Sequence, residues 1–151
     1  MTKKQKNMMM KGKTMVSNLK FPVLEIYKGS PSPCGSIDYL VTTTSLALRK
    51  GYFSDLRIID SQGKEFLVKR AKKIHRISRF WEVIMFFNPR IQVNLDIEET
   101  GKTVTTEEVR RLVLNDFREW HGWESRGDFD ELKTSVENAH TIAEIIQLID
   151  S

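Results

Sequence analysis

The chain has 151 residues, 40% of them hydrophobic and 29% charged, with a mean hydropathy of −0.38; this suits one domain with its own core and excludes a disordered polar chain. Its longest aliphatic or aromatic run, Val83-Ile84-Met85-Phe86-Phe87, falls far short of the roughly 18 apolar residues of a spanning helix, and Cys34, the sole cysteine, excludes an internal disulfide. The net charge of +4 hides an asymmetry, because residues 1–14 carry five Lys and no acid, residues 15–90 thirteen Lys or Arg against six Asp or Glu, and residues 91–151 six against fourteen.

Residues 1–18 read as a disordered basic tail, with no apolar stretch long enough for a signal-peptide core. Met8, Met9, Met10 and Met15 offer alternative starts of translation. Residues 19–151 read as a single α+β domain. Val23 to Tyr27 form the first expected strand, and Gly29 to Ser36, which includes Pro31 and Pro33, is a concentrated turn-forming loop. Tyr39 to Leu48, rich in Thr and Val, suits one or two further strands, broken by Gly51. Leu56–Ile59 and Phe66–Val68 flank Asp60-Ser61-Gln62-Gly63-Lys64, where Gly63 can take the positive φ of a hairpin connection. Over residues 80–87 the helical spacing of Ile77, Phe80, Trp81 and Ile84 competes with a short dense run ending at Asn88-Pro89; a buried strand is preferred. Ile91, Val93, Leu95 and Ile97 then alternate with Gln92, Asn94, Asp96 and Glu98, the pattern of a half-solvated strand.

After Gly101 the period becomes helical. Thr105 with Glu108 makes a capping box, and Val104 with Val109 a hydrophobic staple. Val109, Leu112, Val113, Phe117 and Trp120 line one side of the helix that follows. Asp128 with Glu131, and Thr141 with Glu144, repeat the cap pattern before two shorter helices, whose inward residues are Phe129, Leu132 and Val136, then Ile142, Ile145, Ile146 and Ile149. The expected fold is α+β: an antiparallel sheet over about residues 20–98, able to curl toward a barrel, followed by two or three C-terminal helices packed on it.

Few short motifs carry chemistry. Gly101-Lys102-Thr103 lies between a strand and a helix like the end of a phosphate loop, but the glycine required five positions earlier is Asp96, beside Glu98 and Glu99. His75, His121 and His140 lack metal-ligand spacing, and Asp128-Phe129-Asp130-Glu131-Leu132 lacks the later ligands of a calcium loop. Cys34 sits in a Pro-rich loop without a helix N-terminus to lower its pKa. No catalytic, cofactor or metal residue is therefore assigned, and the expectation leans away from an enzyme.

Two patches remain as binding candidates. Lys69, Arg70, Lys72, Lys73, Arg76 and Arg79 form a cationic stripe that could hold a polyanion, with Phe80 and Trp81 available to stack on bases; the plainer reading is a solvated face. Trp123, with Glu119, Glu124, Asp128, Asp130 and Glu131, makes an acidic aromatic surface of the kind that anchors a protein interface. Trp120 continues the buried stripe and is expected in the core. Core packing of both indoles is the plainer reading there too.

The first functional expectation is a non-catalytic protein of the cytoplasm that binds a basic protein partner through its acidic C-terminal helices, by class analogy with inhibitors and immunity proteins. The second is a nucleic-acid-binding module that uses the stripe over residues 69–79. The third is an enzyme without a short motif. None requires a membrane or a cofactor.

Overall fold

The computed structural model describes residues 13–74 and 90–151. The chain is α+β, with an antiparallel sheet curled into a half-barrel and followed by helices. Its strands are β1 (Lys13–Thr14), β2 (Val23–Tyr27), β3 (Ser30–Cys34), β4 (Thr42–Thr44), β5 (Leu56–Ile59), β6 (Lys64–Lys73) and β7 (Arg90–Thr103). They lie in the order β1-β7-β6-β5-β2-β3, with β4 also on β7, and every pairing is antiparallel. Short helices α1 (Ile37–Leu40) and α2 (Ser45–Arg49) flank β4, and α3 (Thr106–Glu119), α4 (Phe129–Asn138) and α5 (Ile142–Asp150) close the chain. Of the tail expected over residues 1–18, residues 1–12 lie outside the described residues, while Lys13 and Thr14 pair with Glu98 and Ile97 of β7.

The segment Gly29–Ser36 is not a loop but largely the edge strand β3. Lys28 (φ 50°) and Gly29 (φ 83°) form a two-residue connection with both φ values positive, so Ser30 turns straight back onto Tyr27. Pro31 and Pro33 fall at alternate positions of a strand with a single neighbour, where a missing N–H can face outward without breaking the ladder. Tyr39–Leu48 holds only the three-residue β4 between α1 and α2, because Ser36 and Thr44 each accept a bond from the amide three residues on (Tyr39, 3.4 Å; Ala47, 3.2 Å) and start a helix instead. Residues 80–87 lie outside the described residues.

The β5–β6 hairpin and β7 follow the sequence pattern. Gly63 has φ 85° and its carbonyl accepts the Val104 amide at 2.6 Å; a Cβ there would stand 2.3 Å from the Val104 oxygen. Only glycine satisfies both the backbone conformation and this approach. Register shifts between Lys64 and Phe66 and between Val68 and Arg70 bend β6 across β7.

Because side chains alternate, the sheet carries two cores. Val23, Leu56, Ile58, Phe66, Val68, Ile91, Val93, Leu95 and Ile97 fill the concave side with Leu19, Cys34, Leu40 and Phe53. Leu24, Ile26 and Ile59 point the other way, onto Val109, Val113 and Phe117 of α3, Leu132 and Val136 of α4, and the four isoleucines of α5. Each fully buried Ile there contributes roughly 1.5–3 kcal/mol relative to exposure. The acids in the sheet are mostly satisfied: Asp60 Oδ1 accepts from the amides of Gln62 and Lys64 at 3.0 Å each, and Glu65 meets Arg57 (3.2 Å) and the Thr100 hydroxyl (3.2 Å).

Candidate functional site

The acidic surface is built at the end of α3. A helical stripe would carry Trp120 into the core three residues after Phe117, but the helix stops at Glu119 and Trp120 caps it in an extended conformation (φ −108°, ψ 105°). Trp120 is therefore 60% exposed, the reverse of the sequence expectation. Trp123, in the 3-10 turn His121–Ser125, folds back instead: its ring lies 4.8 Å from that of Phe117, and its Nε1 donates to Asp116 Oδ2 at 2.9 Å. The two indoles meet edge to face, 5.9 Å apart at 88°. Gly122 is what admits this arrangement, since a Cβ there would come within 2.6 Å of the Trp120 ring.

Around this pair stand the other expected interface residues. Glu119, Glu124, Asp128, Asp130 and Glu131 are all exposed. Arg126 packs 5.8 Å over the Trp123 ring and grips Asp128 through two hydrogen bonds of 2.9 and 3.0 Å, so Asp128 does not cap α4 with its side chain. That contact raises the Arg126 pKa and holds the Asp128 carboxyl below its ordinary value, the hydrogen bond being the main cause in each case. His121 Nδ1 lies 3.6 Å from Glu124. Phe129 packs edge to face on Phe117 at 5.6 Å, bringing the first turn of α4, with Asp130 and Glu131, beside the same aromatic cluster.

Four members of the cationic stripe, Lys69, Arg70, Lys72 and Lys73, lie on β6; Arg76 and Arg79 lie outside the described residues. The β6–β7 register sets Arg70 opposite Asp96, Lys72 opposite Asn94 and Lys73 opposite Val93. Lys69 Nζ lies 3.6 Å from Glu98. Lys69, Arg70 and Lys72 are exposed and Lys73 is half-buried on the Val93 side. Two of the stripe's residues, Lys69 and Arg70, thus face acids of the adjacent strand, while the ion pairs of the helical block (Arg110 with Glu107, Arg126 with Asp128) stay within that block.

Gly101-Lys102-Thr103 is the end of β7, with Gly101 at φ 82° and Thr103 paired to Lys64, and is not a loop wrapped for phosphate. Among the described residues no three of His, Cys, Asp or Glu converge as metal ligands, and no helix is long and apolar enough to cross a membrane. Cys34 is buried, donates to the Ser36 carbonyl at 3.3 Å, and has its pKa pushed up to about 12 by burial first and by the charge of Glu25 second.

The sequence matches no protein-family model, and no curated protein or solved structure shows significant similarity to it.

One group escaped the sequence reading. Glu25 sits in β2 between Val23 and Tyr27, on the concave side, and lines a cavity of about 360 Å³ with residues of α1, β4, α2, the 3-10 turn Tyr52–Asp55 and the first residue of β7. Burial raises its pKa to about 7. A signal was available, since strict alternation from buried Val23 to Tyr27 puts position 25 on their face; it was hidden because both faces of β2 are covered. His121 and Cys34 do not line this cavity.

Proposed function

We propose that this protein is a non-catalytic binding protein of the cytoplasm that docks on a basic protein partner through its acidic C-terminal helices, in the manner of an inhibitor or immunity protein. The observation that carries the reading is Trp120, a large indole 60% exposed and braced edge to face on a packed Trp123, amid exposed Glu119, Glu124, Asp130 and Glu131. A rigid aromatic anchor loses little side-chain entropy on association, and the surrounding carboxylates steer a cationic partner toward it. Trp120 takes the anchor role expected of Trp123. The basic strand supports a nucleic-acid reading less well, because Glu98 and Asp96 stand against Lys69 and Arg70.

Replacing His121, the exposed neighbour of Trp120, with a photo-crosslinking amino acid in the native host tests this. The expected product is a stoichiometric adduct with one basic protein. Glu119→Lys with Glu124→Lys should slow its association about tenfold at low salt, and Trp120→Ala should speed dissociation. Recovery of the chain alone under these conditions would overturn the reading.

A further inference from the structure

The cavity on the concave side of the sheet combines features that no structural role accounts for. Half-buried Glu25 lines it, and its carboxyl makes no hydrogen bond or ion pair among the described residues, in contrast to buried Asp60 and Glu65. Tyr39, Tyr52 and Phe53 supply aromatic walls, Leu40 and Ala47 aliphatic ones. Of the lining threonines, Thr42 donates to the Asp38 carbonyl and Thr44 caps α2, but the hydroxyl of Thr43 is uncommitted among the described residues. Arg90, opposite Thr44 in the β4–β7 ladder and exposed to solvent, borders the same space.

A carboxyl and a guanidinium that share one cavity of about 360 Å³ would form an ion pair if they met, yet no ion pair joins Glu25 to Arg90. Among the described residues neither group has an ion-pair partner, which leaves both for something between them. The volume lies in the range of small-molecule sites, which are apolar spaces with a few placed polar groups.

We propose that this cavity binds a small zwitterion, an ammonium group and a carboxylate carried on one apolar body as in a free amino acid, with the ammonium on Glu25 and the aromatic faces and the carboxylate on Arg90. The aromatic rings add a cation–π attraction for the ammonium, and Arg90 offers the forked donor geometry that suits a carboxylate. Burial disfavours the ionised form of this carboxyl, and a ligand ammonium beside it would favour that form. Among the described residues, the other titratable groups near Glu25 are Tyr27 on its own strand, Cys34 on β3 and Tyr52 on the 3-10 turn; burial and the neighbouring Glu25 charge raise the Cys34 and Tyr52 pKa values, so neither competes as a charge near neutrality.

Calorimetric titration of the full chain with free phenylalanine, with phenethylamine and with phenylpropionate separates the contributions. The zwitterion is expected to bind at least about tenfold more tightly than either singly charged probe, a ratio worth about 1.4 kcal/mol. Glu25→Gln should remove the advantage over phenylpropionate, and Arg90→Gln the advantage over phenethylamine. Affinity for the zwitterion should rise as pH rises through about 7, where Glu25 loses its proton, with a proton released on binding below that pH. A chain that saturates with none of the probes at about 10 mM, or variants that leave the ranking of the three unchanged, would overturn the proposal. Glu25→Gln removes the titrating carboxyl and keeps the side-chain shape, and circular dichroism of both variants distinguishes lost binding from lost folding.

Discussion

Between Val23 and Tyr27, Glu25 turns its carboxyl toward the concave side of the sheet, where burial holds its pKa at about 7 against an ordinary 4.5. Near pH 4 both folded and unfolded chains hold the proton and the group is neutral to stability. As pH rises from about 4.5 to about 7 the unfolded chain releases its proton first, so the folded state loses ground, and the deficit persists above that range. Glu25→Gln should therefore flatten the pH dependence of urea unfolding and raise the melting temperature at about pH 8 by several degrees, given roughly 2–4 °C per kcal/mol for a chain of this size. Parallel pH profiles for the two proteins would mean that the carboxyl titrates as it does in the unfolded chain. Asp60 and Glu65 differ because backbone amides, Arg57 and Thr100 partner them. The sequence pattern could place position 25 on the Val23 face, but not tell that the face turns inward.

At the level of elements, caps were legible where the side chain has a single local use. Thr105 accepts from the Glu108 amide at 3.2 Å and the Glu108 carboxylate accepts from the Thr105 amide at 3.1 Å, the reciprocal box expected from the spacing. Thr141 likewise accepts from the Glu144 amide, but Glu144 reaches the His140 amide instead of closing the box. Asp128 is spent on Arg126. Thr105→Ala should accordingly cost about 1 kcal/mol of stability in urea unfolding, while Asp128→Ala should leave the unfolding midpoint nearly unchanged, because the cap it would remove is not made. Equal losses for the two would contradict this division. β3 was illegible for the opposite reason: proline content describes local preference, and only the edge position makes Pro31 and Pro33 compatible with a ladder.

Across the whole molecule, the opposite charges are distributed by the sheet order. α3, α4 and α5 cover the face of β2 and β5 carrying Leu24, Ile26 and Ile59, and the polar residues of β6 and β7, Arg70, Lys72, Asn94 and Glu98, remain exposed. The stripe is offset by its neighbour strand through Lys69 with Glu98 and Arg70 opposite Asp96. Combining Asp96→Asn with Glu98→Gln should uncover it, moving elution from a duplex-DNA column to higher salt and steepening the log–log salt dependence by about one to two. An unchanged profile would show that these acids do not screen the cations.

The sequence by itself determined the class of fold, the β5–β6 hairpin, the alternation of β7 and the first helical cap, because each depends on a short-range period or on a bond within four residues. The tertiary structure alone decided which indole reaches solvent, what the cations face and where Glu25 points. Those outcomes turn on a helix that ends one residue before Trp120, on which strands lie side by side, and on a strand, β2, with both faces covered; all three arise from packing between segments distant in the chain.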